Sequence, residues 1–186
     1  MGCGYGTMGV DFLMRCYRCR IFGRGFEMAK DKDKTNVMRV LDSKKIAYDS
    51  YAYVADSTLT GEKIAHLLNE DVSRVFKTLV TQAKSGGYYV FVIPVAEELD
   101  LKKAAAAVGE KAISMIKQKE LLPLTGYVHG GCSPVGMKKA FPTVIHSSAQ
   151  GFERIFVSAG RVGNQVELGV EDLKGLVRAD FADVVV

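Results

Sequence analysis

The sequence predicts an α+β fold, a mixed β-sheet with helices packed around it. Three observations predict it. Stretches with strand and helix periodicity interleave along the chain, but not in strict β-α-β order. No early G-x-G-x-x-G follows a strand, which argues against a dinucleotide-binding sheet. Two apolar runs, 75–83 and 88–96, flank Lys84-Ser85-Gly86-Gly87, a hairpin signal. The length of 186 residues fits one domain, and 48% hydrophobic with 25% charged residues is ordinary for a globular chain.

Residues 1–27 follow neither period and are interrupted by glycine, and the composition changes abruptly at Met28. The expectation is an extension without a fold over 1–27, Met28 as the natural first residue, and one domain over 28–186. Arg15, Arg18, Arg20 and Arg24 against Asp11 and Glu27 give this stretch half of the net charge of +4. What remains does not announce a nucleic-acid partner, so any such contact must come from a local patch. The arginines come late and interrupt the apolar residues, unlike a secretory leader, so the thiols are expected reduced and the chain cytoplasmic. Cys16 and Cys19 form half of a zinc site, with no second pair at finger spacing. No apolar run reaches the roughly 18 residues that a membrane span needs.

Val37, Val40 and Leu41 recur at helical spacing, Thr35 or Asn36 can cap, and the helix should end near Lys45. Residues 46–56 alternate as a strand. Thr60-Gly61-Glu62 opens a helix carrying Ile64, Leu67 and Leu68, on which His66 reads as a surface residue. In the strand 75–83, alternation sets Val75, Lys77 and Leu79 on one face and Phe76, Thr78 and Val80 on the other. A lysine among such neighbours snorkels to the rim or enters a cleft, and snorkelling is the expectation from local pattern. Residues 99–108 form an alanine-rich helix started by Asp100 and stopped by Gly109. A short strand at 112–116 precedes a short helix that Pro123 should end. Three further strands begin at 142, 153 and 164. A helix over 171–178 with Leu173, Leu176 and Val177 as its stripe leads to a closing apolar run.

The loop 125–139, TGYVHGGCSPVGMKK, packs Gly126, Gly130, Gly131, Gly136 and Pro134 together with Lys138 and Lys139. Such a loop can be a tight connection, or its main-chain N–H groups can hold an anion or a polarised carbonyl. No G-x-S-x-G, H-E-x-x-H or H-x-x-E-H is present, so no side-chain nucleophile or metal centre is announced, and no cofactor motif is found. Cys132 and His129 lie in the loop without a motif-fixed partner.

Four strings in this order, FKTLV at 76–80, LDLKKAA at 99–105, TGYVHGGCSPVGMKK at 125–139 and IFVSAGRVGNQVEL at 155–168, resemble the YbaK/EbsC family. The resemblance covers about residues 34–185. It implies a barrel-like mixed sheet and the activity of a free-standing aminoacyl-tRNA deacylase, similar to the editing domain of prolyl-tRNA synthetases. The implied substrate is cysteine mischarged on proline tRNA, with prolyl-tRNA synthetase as a potential partner. A pocket sized for proline cannot strongly reject cysteine by size, which limits discrimination to roughly 10–200-fold. By resemblance Lys77, Gly130 and Ser158 are catalytic. Tyr53, Thr78, Gly131, Ser133, Pro134, Gly136 and Gln165 bind substrate, and Lys138 and Lys139 bind tRNA. The substrate's own thiol is implied as the attacking group, leaving as a thiolactone. Thr60, where the family often has phenylalanine, and Gln165, where it often has Asp or Ser, depart from the pattern. They bear on the amino-acid specificity and leave open a deacylase for another small residue such as alanine; a separate alternative is a non-catalytic binder of tRNA or synthetase.

Overall fold

The structure is a computed structural model that describes residues 19–22, 25–28, 34–53 and 61–186. Strand β1 (Cys19–Phe22) pairs antiparallel with β2 (Gly25–Met28). This pair falls within and just after the stretch 1–27 expected as an extension, and residues 1–18, with Cys16, lie outside the described residues. Helix α1 (Asn36–Ser43) starts where Thr35 Oγ1 accepts the Met38 N–H, and buries Val37, Met38 and Leu41. Strand β3 (Tyr48–Ala52) follows, then α2 (Gly61–Leu67) and a 3-10 turn (Val72–Arg74). The hairpin of β4 (Phe76–Ala83) and β5 (Tyr88–Pro94) forms at the expected turn. Asp100 accepts two backbone N–H groups to cap α3 (Leu101–Ala107).

After β6 (Ile113–Met115), helix α4 (Gln118–Thr125) corrects one expectation: Pro123 lies inside it. An interior proline lacks its own N–H bond and crowds the carbonyl four residues back, yet the helix runs through it to a built C-terminus. Thr125 Oγ1 donates to the Leu121 carbonyl at 2.7 Å, and Gly126, at φ 85°, closes the helix on the Leu122 carbonyl. The remainder is β7 (Thr143–His146), β8 (Arg154–Ser158), β9 (Asn164–Gly169), α5 (Val170–Val177) and β10 (Asp180–Ala182).

The strands make a mixed five-stranded sheet, β10-β7-β5-β4-β6, and an antiparallel three-stranded one, β3-β9-β8. A parallel bridge between Val75 and Phe156 joins them, so the two curve around a common interior as an open barrel. That interior holds Val80, Val90, Val92 and Ile145 from one sheet and Ile155, Val157, Val166 and Leu168 from the other, closed by α1 and α5. Each such side chain contributes about 1.5–3 kcal/mol on burial. Helix α3 covers the outer face of the larger sheet over Phe91, Ile93 and Val144. Ala65 of α2 covers Val75 and Phe156 on the outer face of the seam.

Candidate active site

Several of the sequence-predicted site residues gather at the seam where β4 meets β8. Side chains alternate along both strands, so Lys77 shares a face with Val75, and Ser158 shares one with Phe156. From the isolated Val75–Phe156 bridge, Lys77 and Ser158 are each two residues on and on the same face of their strands. Ser158 is opposite Gln165, and Gln165 is opposite Tyr51. Lys77, Ser158, Gln165 and Tyr51 therefore form one cross-strand row on the face that α2 covers. Tyr53, two residues on from Tyr51, donates its N–H to the Gly163 carbonyl at 2.9 Å.

Lys77 is half-buried, and its Nζ donates to the Val95 carbonyl at 3.0 Å. Burial lowers its pKa, while Glu98, Glu62 and Glu97 pull the other way. The expected snorkelling is replaced by a lysine tied at the rim of a covered face. Gly61, the first residue of α2, packs directly on Val95, which sets the helix over this amine.

The glycine loop reaches the row through the turn that follows Ser158. Ser158 Oγ accepts the Gly160 N–H at 3.3 Å, leaving its own proton to donate elsewhere. A Cβ on Gly131 would lie 2.9 Å from the Val162 nitrogen and 3.2 Å from the Arg161 carbonyl carbon, so only glycine lets the two backbones meet. Gly130 beside it is exposed at φ 77°. The Gly131 N–H is already spent on the Val128 carbonyl at 3.1 Å. Among the described residues, none accepts from the Gly130 N–H.

Several other loop residues hold the loop itself. Ser133 Oγ accepts the Val135 N–H, and the Gly136 carbonyl accepts from Asn36 Nδ2 at 2.9 Å. Tyr127 Oη donates to the Val135 carbonyl at 2.6 Å. Pro134 and Lys139 line a separate cavity with Val40, Leu176 and Arg178. Lys138 Nζ points to the Leu122 carbonyl at 3.4 Å, at the end of α4. Thr78 faces the interior, opposite to Lys77, with its buried hydroxyl unpartnered. The Cys132 thiol is buried, and burial pushes its pKa to about 12, so it is no thiolate at neutral pH. His129 and His66 are exposed. Thr60 lies outside the described residues.

Sequence reasoning missed the charged cluster beside the row. Arg74 stacks on the Phe156 ring at 5.2 Å, donates to the Arg154 carbonyl and pairs with Glu167. Tyr51 Oη donates to Glu167 at 3.0 Å, and Arg154 pairs with Asp49 at 2.8 Å. Next to them both carboxyl oxygens of Glu70 are buried without a hydrogen-bond partner. Burial foremost, and Glu167 next, raise the Glu70 pKa to about 8.

The sequence pattern of one family, described as the aminoacyl-tRNA editing domain, matches residues 55–176. A curated relative from Enterococcus faecalis, named as a candidate Cys-tRNA(Pro)/Cys-tRNA(Cys) deacylase, EbsC, is 44% identical over 160 residues, which is 84% of this chain and 98% of that one. A proline–tRNA ligase from Thermosipho melanesiensis is 24% identical over 127 residues, 68% of this chain but 22% of the ligase. A solved structure described as a candidate trans-editing enzyme for prolyl tRNA synthetase superposes with a TM-score of 0.73 at 25% identity, over 81% of this chain and 95% of that one.

Proposed function

The chain belongs to the aminoacyl-tRNA editing domain family, and from that premise we propose that it hydrolyses cysteine mischarged on proline tRNA at the Lys77–Ser158–Gln165 row. The observation that carries the reading is Lys77: a half-buried amine on a covered face, bonded to a carbonyl, 3.0 Å from Val95 O. Such a group is available to a developing oxyanion or to the ribose-phosphate end of the substrate. The Gly130 N–H is the second donor to that charge, and Ser158 orients the ester through its free hydroxyl proton. Preorganised donors of this kind act most strongly where water is excluded.

The attacking group is the substrate's own thiol. A thiol of pKa ~8.5 is partly ionised near neutrality. Its sulfur adds to the ester carbonyl, the bond to the ribose oxygen breaks, that oxygen takes up a proton, and the amino acid leaves as a thiolactone. The buried Cys132 thiol supports this reading, because the only cysteine in the loop is a poor nucleophile. The relative's name as a Cys-tRNA deacylase supports the choice of amino acid. Prolyl-tRNA synthetase is the proposed source of the mischarged tRNA.

Deacylation of a panel of tRNAs mischarged with cysteine, alanine or serine tests the proposal. Cysteinyl ester is expected to be cleaved fastest. Lys77→Ala should lower its turnover about 10²–10³-fold, the scale of one lost electrostatic stabiliser. Cys132→Ala should leave it within about twofold, as expected for a thiol with no thiolate character. Faster cleavage of the alanyl ester would replace the thiol by water as nucleophile, and binding without cleavage would make the protein a carrier of tRNA ends.

A further inference from the structure

The row is electrically polar along its length. Lys77 stands at one end, whereas the other end gathers acceptors with nothing to accept. Gln165 is 6% exposed and its Oε1 has no partner. It shares a face with Glu167 and Tyr51. Glu70, coupled electrostatically to Tyr51, Tyr53 and Glu167, brings two further buried oxygens without partners. Unpaired buried polar atoms cost stability, so three of them on residues that neighbour Tyr51 and Glu167 are matched to a visitor that supplies donors. Among the described residues Arg74 is the cation that acts on this carboxyl, and it is committed to Glu167 and to the Arg154 carbonyl.

Resting on the aminoacyl-ester reading above, we propose that Gln165 and Glu70 form the subsite for the substrate's α-ammonium group. An aminoacyl ester has the same polarity as the row. Its carbonyl oxygen and ribose end require donors, and its ammonium, with three N–H bonds, requires acceptors. With the ammonium on Gln165 and Glu70, the carbonyl is turned towards Lys77 and Ser158. The arriving cation lets Glu70 ionise, its proton passing to solvent, and the pair is then charge-balanced beside the Arg74–Glu167 pair. Glu70 and Gln165 are positioning residues, since the bond being broken lies at the Lys77 end.

The test compares proline tRNA charged with cysteine and with 3-mercaptopropionic acid, which keeps the thiol and the ester but lacks the amine. The wild type should prefer the cysteinyl ester in kcat/KM. Gln165→Met and Glu70→Gln should each shrink that preference about tenfold, the scale of one charge-assisted hydrogen bond. A variant that merely folds poorly lowers both rates and leaves their ratio intact. A ratio unchanged in both variants, or equal rates in the wild type, overturns the subsite and leaves the deacylase reading standing. Cleavage of neither ester overturns both.

Discussion

Both carboxyl oxygens of Glu70 are buried among Glu167, Arg74, Tyr51 and Tyr53, and the group's pKa rises from 4.5 to about 8. Between those two values the native protein holds a proton that the unfolded chain has released. Stability therefore falls as pH rises from about 4.5 to about 8 and levels off above, since the state binding more protons is favoured at low pH. Glu70→Gln removes this dependence. Its melting temperature should match the wild type near pH 5 and exceed it by a few degrees at pH 8.5. A scanning calorimetry series that gives one constant offset at every pH would show that the carboxyl is not the source. Such a residue was not legible in the sequence. Locally, Glu70 is an acidic residue following a left-handed Asn69 at the end of a short helix, a pattern that belongs to a solvated turn. Two of the groups that act on it, Tyr51 and Glu167, lie on β3 and β9, and β9 lies nearly a hundred residues further on. Cys132 is the opposite case: the absence of a motif-fixed partner predicted an idle thiol, and its buried position agrees.

Secondary elements were legible where a local stop or cap wrote them. Thr35 and Asp100 each begin a helix by a hydrogen bond that their own chemistry dictates. Pro123 misled because the helix continues through it to the Gly126 stop. The meeting of two elements was the part the sequence could not write. Gly131 reads as generic loop flexibility, yet the structure uses it for a lack of volume against the Arg161–Val162 backbone. The expected consequence is specific. Gly131→Ala forces the turn after Ser158 to shift by tenths of an ångström, because backbone atoms on the other side cannot rotate away. Displacements of that kind lower turnover, and a full 1 Å costs about 10²-fold. Deacylation should fall about tenfold or more while the melting temperature moves little. The same loss in Gly126→Ala, whose neighbour is the flexible Lys138 side chain, would refer the effect to loop stiffness instead.

At the scale of the molecule, a mixed sheet with helices around it was legible as a class, but the parallel pairing of β10 with β7 and the split into two sheets were not, since both rest on contacts between distant segments. That arrangement also decides how tRNA is held. Of the two loop lysines expected to meet it, Lys138 is turned to the end of α4 and Lys139 to a cavity beside Arg178. With these two lysines turned away, affinity is expected to come from the acyl group and the terminal nucleotide more than from phosphate contacts of the glycine loop. Counterion release makes the difference measurable. Two phosphate contacts give a slope of about −1.4 to −1.8 for log kcat/KM against log salt, a loss of roughly tenfold between 50 and 200 mM. Replacing the body of the tRNA by an acceptor-stem minihelix should then change the rate by no more than about threefold, since every contact argued for lies at the charged end. A slope near −5, or a minihelix that fails, would place the main nucleic-acid contacts on a surface away from this seam, and the discrimination would belong to the tRNA body instead of the amino acid.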